Sequence, residues 1–66
     1  MSATAFPQYT ARELEVVIRL DRALADEIFS LHRQGYDVRE VLHEARALRT
    51  EADLMKRELK RRKAAA

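Results

Sequence analysis

Residues 10–20 read TARELEVVIRL, and the architecture turns on whether they wind or extend. Thr10 and Glu13 stand at the two ends of a capping box: the threonine hydroxyl accepts from the N3 amide, and the glutamate reaches back to the Thr10 amide. Tyr9 and Leu14 occupy the hydrophobic-staple positions around it. Residues 13–20 also alternate as a strand does. Leu14, Val16, Ile18 and Leu20 would face one way, and the β-branched run Val16-Val17-Ile18 suits extension. The sequence downstream favours the helix.

The capping grammar recurs. Asp37-Val38-Arg39-Glu40 is an Asp-led box, with Tyr36 and Val41 as its staple pair. Between the two starts lies Gly35, the one glycine of the chain, where a helix C′ residue needs positive φ. His32 and Arg33 precede it, favourable for the helix dipole. The spacing predicts helices over 11–34 and 38–62 joined by a three-residue turn, an antiparallel all-α hairpin. Residues 1–9 read as a flexible arm, since Pro7 biases Phe6 away from helix. Residues 63–66 read as a frayed end.

Apolar residues follow a 3-4 repeat. Leu14, Val17, Asp21, Leu24, Ile28 and Leu31 form one seam, with Asp21 its polar member. Val38, Val41, Ala45, Leu48, Ala52, Met55 and Leu59 form the other. Folding about residue 36 sets Leu14 near Leu59 and Val17 near Met55. It also opposes charges: Glu13 with Lys60, Glu15 with Arg57, Arg19 with Asp53, Arg22 with Glu51, Glu27 with Arg46. Val16, Ile18, Leu20, Phe29, Leu42 and Leu54 fall off the seam. One hairpin leaves that much apolar surface uncovered, so a four-helix bundle of two copies, or docking on a larger protein, is expected.

Composition sets the outer limits. A 66-residue chain buries only about 60% of its unfolded surface. It has no cysteine, which excludes disulfides and thiolate metal sites. No apolar run approaches the roughly 18 residues of a membrane span. MSATAFPQYTAR lacks the basic and apolar regions of a secretion signal. A cytoplasmic protein is the expectation.

Charge is unevenly spread. Residues 1–55 hold seven Arg against ten acids, and residues 56–66 hold six basic residues and one Glu. Lys56, Arg57, Lys60, Arg61, Arg62 and Lys63 are therefore candidates for contact with nucleic acid or an acidic partner. The same residues also suit the end of a long helix, whose dipole favours cations. No aromatic residue lies near enough to stack on bases, which favours the second reading.

Leu20-Asp21, Leu24, Ile28, Leu31, Gly35, Asp37, Glu40, Val41, Leu42 and Ala45 together resemble the ribbon–helix–helix repressors and antitoxins, over about residues 13–48. The resemblance implies a homodimer whose paired strands enter the DNA major groove, with Glu15, Val17 and Arg19 facing the bases and the Gly35–Val38 amides on phosphate. It is the alternative to the hairpin, with the C-terminal helix then binding a partner.

Catalytic constellations are sparse. Ser2 and Ser30 have no paired base, and no glycine-rich phosphate loop occurs. Glu40-x-x-His43 is half of a di-iron bundle pattern, which Glu27 would extend. The simpler account makes Glu40 a capping acid and His43 a surface residue. His32 is a dipole partner. No enzyme, cofactor or metal is expected. The sequence points to a protein–protein interaction module, a small regulator, adaptor or assembly subunit. Its packing residues are expected at Leu24, Ile28, Phe29, Leu31, Val41, Leu42, Leu48 and Met55.

Overall fold

Thr10 begins the first helix as its side chain predicts. Its Oγ1 accepts from the Glu13 amide at 3.1 Å, and its own amide donates to Glu13 Oε1 at 2.9 Å. That pairing holds the Glu13 carboxyl below its ordinary pKa, the bond from the Thr10 amide contributing most. A computed structural model describes residues 5–65. It contains α1, Ala11–Arg33, and α2, Arg39–Ala65. Residues 13–20 are helical, and no strand occurs among the described residues. The ribbon expected from the repressor resemblance is therefore overturned. The capping box fixes a helical start, and four-residue spacing then carries both Leu14 and Ile18 into the interior.

Gly35 ends α1 with φ +93°. Its amide donates to His32 O and the Tyr36 amide to Leu31 O, both at 3.1 Å. This is a Schellman closure, which needs left-handed backbone at the glycine. The second start departs from expectation. Asp37 Oδ1 accepts from the Arg39 amide at 3.4 Å and from Arg39 Nε at 3.1 Å. The Arg39 guanidinium draws the carboxylate to itself, lowering its pKa. Glu40 supplies no reciprocal bond among the described residues, and Tyr36 is 61% exposed instead of stapled. At the far end the helix runs to Ala65, past the expected stop at 62.

The two helices pack antiparallel in a rod of 46 × 19 × 17 Å. Leu14, Ile18, Ala52, Met55 and Leu59 form the core cluster at the open end, with Phe6, Tyr9 and Val17 against it. Towards the turn the buried residues are Ala25 and Ala45. On α2 the predicted Ala45, Ala52, Met55 and Leu59 are buried, and Val38, Val41 and Leu48 are half-buried. On α1 the predicted Leu14 is buried, but Ile18 and Ala25 join it while Leu24 is 53% exposed. Ala25, Ala45 and Ala52 carry only a methyl each, so the backbones can approach closely there. Leu24 stands on the shoulder of that line.

The interhelical ion pairs differ too. Arg22 meets Asp53 at 3.4 Å, Asp26 meets Arg49 at 3.1 Å, and Glu15 meets Lys63 at 3.6 Å. In each case the α2 partner lies further along the chain than simple folding places it. Helical side chains lean towards their own N-terminus. In antiparallel helices the two leans oppose, so long side chains meet only when the α2 residue lies nearer the open end. Short core side chains are little affected, and Leu14 and Leu59 stay grouped as counted.

Candidate interaction surface

The open end is closed by a clamp that the sequence conceals. Phe6 O accepts from the Tyr9 amide at 3.1 Å, turning the arm back towards α2. Arg62 donates through Nη1 to Tyr9 O at 2.8 Å, and through Nη2 to Phe6 O at 3.1 Å and Ala5 O at 3.2 Å. Its Nε donates to Glu58 Oε2 at 2.7 Å. Arg61 Nε and Nη2 donate to the same carboxylate at 2.8 and 2.9 Å. Glu58 is only 5% exposed. The Arg61 and Arg62 hydrogen bonds hold its pKa down to about 2. Phe6 adopts φ +54° instead of the extended backbone expected before proline. Such backbone costs about 1–2 kcal/mol, and packing of the ring on the core cluster offsets it.

The basic C-terminal run is thus divided. Arg61 and Arg62 serve Glu58, and Lys63 reaches Glu15. Lys56, Arg57 and Lys60 are exposed and form no ion pair among the described residues. Glu40 and His43 are both exposed. No group of three His, Cys, Asp or Glu side chains gathers as a metal would need among the described residues. No helix among them is long and apolar enough to cross a membrane.

The expected packing residues fall into separate places. Met55 is 1% exposed, inside the hairpin's own core, and so is not part of an outward surface. Phe29 lies under the Arg49 guanidinium, 4.3 Å from the ring centroid. Val41, Leu42 and Leu48 are half-buried along α2. Leu24 belongs to an exposed ridge at four-residue spacing, with Val16 41%, Leu20 63% and Leu24 53% exposed. Half-buried Ile28 and Leu31 extend it towards the turn.

That ridge and the ion pairs occupy opposite flanks. At 100° per residue, Arg22 and Asp26 lie on one side of the buried seam of α1, and Leu20, Leu24 and Leu31 on the other. The glutamates of α2 follow the apolar side, where Glu44, Glu51 and Glu58 recur every seven residues. Asp21 sits between seam and ridge. Its Oδ2 is shut from solvent and has no hydrogen-bond partner among the described residues. Its neighbour is the Glu51 carboxyl, whose pKa is pushed up by desolvation, then by hydrogen bonding to Asp21 and by its charge. With both groups ionised neither can donate to the other. No family model matches the chain, and neither a curated protein nor a solved structure matches it.

Proposed function

We propose that this hairpin is a non-enzymatic protein–protein interaction module, a small cytoplasmic regulator, adaptor or assembly subunit, which docks through the apolar ridge of α1. The observation that supports this reading is the exposure of Leu20 and Leu24, at 63% and 53%, along one helical ridge. Ridges of this spacing fit the grooves of another helix. Exposed apolar surface that is continuous, not scattered, marks an interaction site. Leu20 and Leu24 stand outside the buried seam of the hairpin, which supports their being covered by a second chain.

The test is photo-crosslinking in native cells. A benzophenone side chain placed at Leu20 or Leu24 is expected to give one discrete adduct. The same group at Asp53, on the ion-paired flank, is expected to give none. Equal labelling from both flanks, or none from the ridge, contradicts the reading.

A further inference from the structure

We propose that the ridge receives an amphipathic helix of another protein, which brings one arginine or lysine to the Asp21–Glu51 carboxyl pair. The proposal rests on the docking reading above and names the chemistry of the occupant.

Around the middle of this flank, Asp21, Glu44 and Glu51 form no ion pair among the described residues. The cations that could have served Asp21 and Glu51 are engaged elsewhere: Arg22 with Asp53, Arg49 with Asp26, Arg61 and Arg62 with Glu58. With Glu51 ionised, Asp21 Oδ2 is desolvated and without a donor, so an arriving cation gains its hydrogen bond without first stripping that oxygen of water. A guanidinium offers a planar fork that can serve both carboxyls together. Desolvation first, then the facing Asp21 carboxyl, raise the pKa of Glu51. A second copy of this chain is a poor occupant. Pairing like flanks would bring Asp21, Glu44 and Glu51 of each copy towards the other, while Arg61 and Arg62 of the flank are held by Glu58, and like-charge contact disfavours such a partner.

The test uses the full chain and two synthetic amphipathic helices of about 18 residues, long enough to lie along the ridge at 1.5 Å per residue. Both carry leucines on one face. One has a single arginine at the centre of that face, the other glutamine. Fluorescence anisotropy is expected to show the arginine peptide binding about tenfold tighter or more. The double variant Asp21→Asn with Glu51→Gln is expected to erase that preference while keeping its helical circular dichroism. Equal affinity for the two peptides, no binding of either, or a preference that survives the double variant overturns the proposal. So does sedimentation showing a dimer that buries Leu24. Equal affinity that vanishes in Leu20→Gln with Leu24→Gln sinks only the charge recognition and leaves the docking ridge standing. Failure of the crosslink from Leu20 and Leu24 sinks the docking reading itself.

Discussion

Along one flank of the hairpin Arg22 meets Asp53, Asp26 meets Arg49, and Arg49 also covers Phe29. Along the other, Leu20 and Leu24 stand more than half exposed beside a desolvated, unpartnered Asp21 oxygen. Both flanks border the same buried seam. On the first, side chains long enough to bridge the helices select the antiparallel partner and its register, while contributing only about 0–1 kcal/mol each. On the second, Leu20 and Leu24 are exposed and the Asp21 and Glu51 carboxyls form no ion pair among the described residues. Ion pairing across the helices and exposed apolar side chains are thus divided between two sides of one small rod. Stability falls mainly to the open end, where the large buried side chains and the Arg62 clamp are found.

The largest effect is expected there. Leu14→Ala removes a fully buried side chain and should cost about 3 kcal/mol, read as a lowered midpoint in thermal unfolding. A loss under about 1 kcal/mol would move the weight of the fold to the flanks.

Arg62→Ala comes next. It removes charge-assisted bonds to three arm carbonyls and should cost about 2 kcal/mol, with faster proteolysis between Ala5 and Tyr9. The acid limb checks the same clamp. Glu58 is held down to about 2 from an ordinary 4.5. Its contribution is complete above 4.5 and is lost as pH falls from there towards 2. The variant should weaken that acid-dependent loss, because Arg61 alone then remains on the carboxylate.

The ion-paired flank should respond least. A double-mutant cycle on Asp26 and Arg49 is expected to give a coupling below about 1 kcal/mol that shrinks in roughly 1 M salt. A larger, salt-insensitive coupling would show that this flank also carries the stability of the hairpin.

How far the sequence reveals all this depends on how local each determinant is. Thr10, Glu13 and Gly35 act within a turn or two of themselves, and their roles are readable directly. So are the α2 seam positions Ala45, Ala52, Met55 and Leu59. A 3-4 repeat does not say which of two adjacent residues enters the interface, so it points to Leu24 where the structure buries Ala25. The side-chain lean that sets the ion pairs appears only once two helices lie antiparallel. The spacing of Glu58, Arg61 and Arg62 is legible as a helical charge cluster. That Arg62 would also take the carbonyls of Ala5, Phe6 and Tyr9 depends on the arm's return, which no periodicity encodes. Asp21 stands out in the sequence as the seam's polar member, but its lack of a partner follows from where Arg22 turns.

The most direct test of the division is thermal unfolding of the Leu20→Gln, Leu24→Gln double variant, followed by circular dichroism. If the ridge faces outward and the core holds without it, the variant should unfold within about 0.5 kcal/mol of the parent chain. A loss comparable with that of Leu14→Ala would place these leucines inside the structure that holds the hairpin together, and the account of two separate flanks would fail.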